Sequence, residues 1–226
     1  MIISISQPTL FPWLGYFNIT KNSDIFVFLD TVKFEKRSWQ MRNKIKKISK
    51  GEESETWIRI PTRLDKTDTL IKDVLIDNSQ HWKKQHINAF RSHYGNSYDE
   101  IDFVKKLYTQ NWDKLVDFEI EFITNCCKYL GITTKLLKAS DMKIEDKKSY
   151  LLLNICKKLG ATEYLTTIGA KEYLEKDLTI FENANIKILY HDYIHPIYRQ
   201  RGKTFIKSLS IIDLLFNEKE NSRKFV

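Results

Sequence analysis

Residues 2–50 read IISISQPTLFPWLGYFNITKNSDIFVFLDTVKFEKRSWQMRNKIKKISK. Two short apolar runs, Ile2–Ser6 and Ile25–Leu29, lie in this stretch, and Gln7 and Asp30 follow them directly. Short apolar runs rich in β-branched residues predict buried strands, and the crossover between them predicts a parallel pair. Ligands of open α/β sheets bind outside the carboxyl ends of the strands. This stretch is therefore the first candidate for a functional site.

Helical and strand patterns alternate along the rest of the chain, which indicates an α/β fold with a largely parallel central sheet flanked by helices. The predicted helices span residues 14–22, 82–94, 112–130, 151–159 and 170–174, and a last helix begins at a capping box formed by Ser210 and Asp213. The predicted later strands are Thr56–Ile60, Leu70–Ile76, Thr134–Ala139, Glu163–Thr166 and Ile186–Tyr190.

No helical pattern separates Thr56–Ile60 from Leu70–Ile76, so these two strands are predicted to pair as a small antiparallel hairpin insertion. The length of 226 residues predicts one α/β domain over residues 1–226. A weak subdivision is predicted near residue 78, where strand patterns give way to helical ones.

The positive charge of the chain is concentrated in one segment. The formal net charge is +8, and eight basic residues stand between positions 33 and 50 against one acidic residue, Glu35. A localised basic patch predicts an anionic partner that binds at one place. The run Lys44–Lys50 is interpreted mainly as a solvated loop, whereas Arg37 and Arg42 suit bidentate binding of phosphate.

Aromatic and amide side chains accompany these arginines. Trp39 can stack on a base or a sugar, and Gln40, Asn43 and Gln7 can orient polar groups of a ligand. A nucleic-acid-binding surface usually has a longer basic stripe or a recognisable module, and neither is present in the sequence. The patch therefore favours a nucleotide diphosphate over nucleic acid, with a packed turn and a charged loop as the structural alternative.

The segment HDYIHPIYRQ, residues 191–200, follows the last predicted strand. His195 is the best candidate for a general base because histidine titrates near neutral pH, and Asp30 is the second candidate. Tyr198 and Gln200 are candidates for substrate binding. Pro196 opposes a continuous helix here, so the four-residue spacing of the two histidines does not predict a metal site.

Cysteine usage and hydropathy exclude several classes of protein. Cys126, Cys127 and Cys156 are odd in number and form no CxxC motif, which argues against a disulfide framework and a zinc site. They are predicted to be buried apolar residues, with a reactive thiol as the alternative. No apolar run approaches the roughly 20 residues that span a bilayer, and no secretory signal is found. The sequence predicts a cytoplasmic protein without membrane insertion.

The start of the chain is similar to nucleotidyltransferases in one respect. Those enzymes also place a loop and a helix after their first strand, with a His-x-x-His or similar motif at the start of the helix. Tyr16 stands where the second histidine would fall, which weakens the analogy. A nucleotidyltransferase-like enzyme is kept as an alternative.

Five stretches together resemble the WbqC-like protein family. They occur in the order of the family and cover nearly the whole chain. Two departures are Thr31, where the family often has a second Asp, and Lys33, where Gln is frequent. The stretches are SQPTLFPWLGYF (6–17), SDIFVFLDTVKFEKRSWQMRNKI (23–45), GATEYLTTIGAKEYL (160–174), HPIYRQ (195–200) and LSIIDLLFN (209–217).

The resemblance implies a role in O-antigen or capsule biosynthesis. The expected reaction is transfer of an N-acyl or aminoacyl group to a nucleotide-linked amino sugar, and acyl-CoA or another activated acyl or aminoacyl donor is the suspected cosubstrate. The alternative from another class is a non-catalytic protein that binds a nucleotide sugar or nucleic acid.

Overall fold

The computed structural model describes residues 1–64 and 66–226. The strands are β1 Ile2–Ser6, β2 Ile25–Phe28, β3 Arg42–Ser49, β4 Glu52–Arg59, β5 Thr62–Arg63, β6 Leu75–Ile76, β7 Lys135–Lys138, β8 Glu163–Thr167 and β9 Lys187–His191. The α-helices are α1 Leu14–Lys21, α2 Trp82–Tyr94, α3 Ser97–Glu100, α4 Asp102–Thr109, α5 Leu115–Leu130, α6 Lys148–Leu159, α7 Lys171–Leu174, α8 Leu178–Glu182 and α9 Ile211–Glu218.

The central sheet has five strands in the order β7-β2-β1-β8-β9, and all neighbours are parallel. The strand β1 lies in the middle, and the chain continues to β2 on one side of it before reaching β8 on the other side. The order therefore reverses next to β1, and such a switch point is where open α/β sheets bind ligands. The predicted α/β fold with a largely parallel sheet flanked by helices is confirmed.

Residues of the sheet alternate between two apolar layers. In β2, Phe26 and Phe28 belong to the core that includes residues of α1, α5 and α9. Val27 points to the opposite side, into a second core with residues of α6 and α8. Both faces of the sheet are covered at its centre, which explains why β1 and β2 are mostly apolar along their length.

The predicted small antiparallel insertion is confirmed, but the predicted pairing of Thr56–Ile60 with Leu70–Ile76 is wrong. The strand β4 pairs antiparallel with β3, in a register that places Lys46 opposite Glu55. The run Lys44–Lys50, interpreted as a solvated loop, is therefore mostly strand. Lys50 and Gly51 connect the two strands and have φ values of +51° and +84°, as a two-residue type I′ turn requires. Opposite charges on the two strands stabilise the pairing of β3 with β4. The run of lysines in β3 made this strand look like a solvated loop in the sequence.

The predicted strand Leu70–Ile76 is also largely wrong. Only Leu75–Ile76 is a strand, and it pairs with β5. Ile71–Asp73 forms a 3₁₀ turn, with the Lys72 amide donating to the Asp30 carbonyl oxygen over 3.0 Å. The buried residues of this segment are Ile71, Val74 and Ile76. They belong to a turn followed by a short strand, but their spacing in the sequence resembles that of one longer strand.

The three cysteines are free and buried. Burial raises the pKa of Cys127 and of Cys156 to about 12 and the pKa of Cys126 well above its ordinary value. A thiol with such a pKa is almost entirely protonated at neutral pH and is a poor nucleophile. Their surroundings are those of apolar core residues. None of the described helices has the length and apolar composition that crossing a bilayer requires.

One carboxyl group lies inside the core without a partner. Glu119 of α5 is 1% exposed, and neither of its carboxyl oxygens has a hydrogen-bond partner among the described residues. Burial raises its pKa well above the ordinary value, because a charged carboxylate is poorly solvated there. Between the pKa of the unfolded chain and the pKa of the folded protein, Glu119 is therefore protonated in the folded protein and ionised in the unfolded chain.

The free energy of unfolding should consequently depend on pH through Glu119. Above the unfolded pKa of about 4.3, each further pH unit costs the folded state about 1.4 kcal/mol, until pH reaches the folded pKa. The variant Glu119→Gln lacks this cost, so its stability relative to wild type should be higher at pH 8 than at pH 5. Urea unfolding at both pH values measures the difference. The exposed Glu121 of the same helix provides the control Glu121→Gln, and an equal difference at both pH values would contradict the assignment.

Candidate functional site

A cavity of about 560 Å³ opens at the carboxyl end of β1. Three segments of the chain form its wall: the loop after β1 with the start of α1, the β3–β4 hairpin with the residues before it, and the segment just before α9. The lining residues are Ser6, Thr9, Pro12, Trp13, Tyr16, Trp39, Asn43, Lys44, Glu55, Lys207 and Ser208.

The loop after β1 is held in place by Asn43. The Asn43 Nδ2 donates to the carbonyl oxygens of Leu10 and Phe11 over 3.0 and 2.9 Å, and the Leu10 amide donates to the Trp39 carbonyl oxygen over 3.0 Å. Phe11 has the unusual φ of +46°, which is costly for a non-glycine residue. Asn43, predicted to bind substrate, lines the cavity and also supports its floor.

The two predicted glutamines bind each other. Gln40 Nε2 donates to Gln7 Oε1 over 2.8 Å, and Gln40 Oε1 accepts from the Glu35 amide over 2.8 Å. Gln40 is buried. This contact joins the end of β1 to the basic segment, so the two stretches that the sequence singled out do meet at the carboxyl edge of the sheet.

Two exposed tryptophans lie next to each other on the hairpin side, and Trp39 is the one that lines the cavity. Trp39 and Trp57 are 52% and 45% exposed, and their ring centroids lie 5.5 Å apart. The Arg42 guanidinium lies 4.2 Å above the Trp57 ring. Neither Arg42 nor Arg37 lines this cavity, and Arg42 lines a separate pocket with Trp57 and His86, so the arginine grip on a diphosphate stays a prediction. The lining cations are Lys44 and Lys207.

The segment that carries Lys207 is fastened to the hairpin by Glu53. The Glu53 carboxylate accepts from the Lys203 amide over 2.6 Å, and from the amide and hydroxyl of Thr204 over 2.9 and 2.6 Å. Lys46 Nζ pairs with the same carboxylate at 2.9 Å. The Thr204 hydroxyl, with these other donors, holds the pKa of Glu53 well below its ordinary value.

Gly202 should be intolerant of a side chain for this reason. Its φ is +96°, and a Cβ atom would lie 2.6 Å from the Glu53 carboxylate. We expect Gly202→Ala to detach the segment, so that hydrogen exchange of the Lys203 and Thr204 amides becomes roughly tenfold faster. Gly131→Ala is the matched control, since Gly131 also has a positive φ, +75°, but has nothing within 4 Å of its Cβ position. Exchange as slow as in this control would refute the anchoring role.

His195 lies beside the cavity in a neutral, hydrogen-bonded state. Its ring stacks on the cavity residue Trp13 with centroids 6.4 Å apart. Nδ1 lies 2.8 Å from the Pro196 carbonyl oxygen and must donate to it, while Nε2 accepts from the Ser208 amide over 3.2 Å. Burial lowers the pKa of His195. Nε2 would have to release Ser208 before it could take a proton from a ligand.

Asp30 is fully engaged elsewhere. It is buried at the end of β2, and its two carboxylate oxygens accept from the amide and the hydroxyl of Ser140 over 2.9 and 2.6 Å. Ser140 follows β7, so this contact joins the ends of two neighbouring strands. Asp30 does not line the cavity. Its contacts support a structural role rather than the predicted role of base.

Tyr198 and Gln200 belong to a buried network around Asp213. Tyr94 and Tyr198 each donate a hydroxyl to one Asp213 oxygen over 2.8 Å, and Gln200 Nε2 donates to the Tyr198 oxygen over 3.2 Å. Burial raises the pKa of Asp213, although the two tyrosine hydrogen bonds oppose this. The predicted capping box therefore forms only in part: Ser210 caps the Ile212 amide, while Asp213 turns inward.

The structure thus places Trp39 and Asn43 in the cavity wall, His195 behind Trp13, and the other predicted site residues outside the lining. Sequence reasoning missed the cavity residues Lys44, Glu55 and Lys207. The alternating charges of the hairpin strands were the available signal for the first two. No group of three or more His, Cys, Asp or Glu side chains within residues 1–64 and 66–226 is arranged to hold a metal ion.

Comparisons with known proteins find similarity along nearly the whole chain. The model of the WbqC-like protein family matches residues 7–225, which include every segment of the cavity wall except Ser6. The "Uncharacterized protein Rv1507c" of Mycobacterium tuberculosis (strain ATCC 25618 / H37Rv) is 31% identical over 221 residues, which are 95% of this chain and 93% of that protein. No solved structure matches the chain.

Proposed function

We propose that this chain, which belongs to the WbqC-like protein family, transfers an acyl or aminoacyl group to a nucleotide-linked amino sugar in O-antigen or capsule biosynthesis. The observation that carries the proposal is the cavity beside β1, where exposed indole rings meet lysine ammonium groups. Its volume of about 560 Å³ lies in the range of small-molecule sites, and its position at a switch point suits a nucleotide.

The cavity offers each part of such a ligand a chemically suitable partner. Trp39 lines the cavity and is 52% exposed, so it presents a π-face on which a base can stack. Lys44 and Lys207 supply ammonium groups for the diphosphate, as lysines do in many phosphate sites. The sugar would then lie toward Ser6 and Thr9 at the end of β1, next to Tyr16.

The proposed reaction forms an amide. The neutral amine nitrogen of the sugar attacks the carbonyl carbon of an acyl thioester such as acyl-CoA, a C–N bond forms, the C–S bond breaks, and the sulfur leaves as a thiolate. A base must accept the proton that the nitrogen loses and then pass it to the thiolate. His195 is the nearest of the predicted bases to the cavity, and it would serve by exchanging its Ser208 hydrogen bond for one to the ligand.

A second candidate function is binding of a nucleotide sugar without turnover. The observation that favours it is that His195 and Asp30 already have all their proton-accepting atoms in hydrogen bonds. A sensor or carrier needs the same aromatic and cationic cavity but no base.

Mass spectrometry separates these functions. The protein is first screened for thermal stabilisation by UDP-, dTDP- and GDP-linked amino sugars, since ligands of the native state raise the melting temperature. It is then incubated with a stabilising sugar and acyl-CoA. An N-acylated sugar together with free CoA supports the transferase, whereas stabilisation without product supports the binding protein. No stabilisation by any nucleotide sugar would overturn both.

A further inference from the structure

The cavity wall carries a negative charge as well as two positive ones. Among the lining residues, Glu55 of β4 is the one carboxylate, and Lys44 and Lys207 are the cations. Glu55 Oε2 lies 2.7 Å from Lys44 Nζ, and the Glu55 side chain is 43% exposed. A wall with both signs of charge is complementary to a ligand that carries both signs.

The nearby carboxylates are already used by the protein. Glu53 holds the segment before α9 through four hydrogen-bond donors, Asp30 binds Ser140, and Asp213 binds two tyrosines. Glu55 has Lys44 as its partner in the part of the chain that the structure describes. A half-exposed ion pair of this kind contributes little to stability, so the fold does not depend on it.

We propose that Glu55 binds the free amino group of the sugar and makes the cavity selective for amines over N-acylated sugars. This inference rests on the proposed function, and it identifies the amino group as the part of the substrate that Glu55 recognises. When the diphosphate approaches Lys44, the ammonium group of the sugar takes the place of Lys44 beside Glu55. An N-acylated sugar is neutral at this position, so it loses the charge-assisted hydrogen bond. The same difference favours release of an acylated product.

Calorimetric titration with matched pairs of UDP- and dTDP-linked sugars, each as the free amine and as the N-acetyl derivative, tests the selectivity. We expect the wild type to bind the amine about tenfold more tightly than its N-acetyl partner. Glu55→Gln keeps the shape of the side chain but removes its charge, and should bind both at the affinity of the N-acetyl form. Glu52→Gln on the same strand is the control, because Glu52 is exposed and does not line the cavity.

These titrations distinguish an error in the role of Glu55 from an error in the proposed function. If the wild type binds nucleotide sugars and Glu55→Gln retains the preference for the amine, the role of Glu55 is wrong while the proposed substrate class stands. If the wild type binds neither form of any sugar, the proposed function is overturned and the role of Glu55 with it. A melting temperature of Glu55→Gln close to that of wild type shows that the comparison concerns folded protein.

Discussion

The double variant Lys44→Met, Lys207→Met is expected to bind nucleotide-linked amino sugars about 100-fold more weakly than the wild type. Each lysine lines the cavity, and a hydrogen bond to a charged group contributes roughly 1.5–3 kcal/mol, so the loss of two such bonds removes about 3 kcal/mol or more, which corresponds to a loss of at least about 100-fold. Calorimetric titration measures the loss.

The matched control removes the same number of charges outside the cavity. Lys47 and Lys50 are exposed residues of the hairpin, and Lys47→Met, Lys50→Met should leave the affinity within about twofold of wild type, since exposed charges are screened by salt over roughly 10 Å. Equal losses in the two double variants would mean that the protein attracts the ligand by overall charge, and that the cavity lysines make no direct contact.

The largest effect on stability is expected from Asp213→Leu, which should lower the free energy of unfolding by about 3 kcal/mol or more. Tyr94 and Tyr198 both donate to Asp213 within the core, and each buried hydroxyl that loses its acceptor costs about 1–3 kcal/mol. Urea unfolding measures the change. A loss below about 1 kcal/mol would contradict the view that this network holds α2, α9 and the segment before α9 together.

A double-mutant cycle separates the network from simple loss of packing. Tyr94→Phe removes one of the hydroxyls that Asp213 satisfies, so Asp213→Leu should cost less in that background than in wild type. Strict additivity of the two substitutions would show that Tyr94 and Asp213 do not act together.

The strands β1 and β2 could be predicted from sequence because both of their faces are buried and mostly apolar. The strand β1 was predicted with the bounds that the structure has, and β2 within one residue. Local pattern was sufficient at these positions, since the run of β-branched residues, the following polar residue and the crossover all indicate the same element.

The pairing of β3 with β4 could not be predicted, because both strands are rich in charged residues and β3 carries three lysines. The stabilising partners of Lys44 and Lys46 are Glu55 and Glu53 on the neighbouring strand, and a pattern within one strand does not reveal a pairing across two. Gly51 was the local signal that could have identified the turn.

The sequence predicted the location of the candidate site but not most of the residues that line it. The segment 191–208 does reach the end of β1, as its position after the last strand suggested, but it contributes Lys207 and Ser208 to the wall. Tyr198 and Gln200, which look like ligand-binding residues, are instead committed to Asp213 and its neighbours. Which polar side chains face a ligand and which face the core depends on tertiary packing, and one sequence does not contain that distinction.

The most direct test of the central claim is a crystal structure of the protein with the nucleotide-linked amino sugar that stabilises it most. We expect the base on Trp39, the diphosphate within hydrogen-bond distance of the Nζ atoms of Lys44 and Lys207, and the amine beside the Glu55 carboxylate. Ligand bound instead in the separate basic groove formed by Lys33, Lys36 and Lys66, with the cavity beside β1 empty, would contradict it.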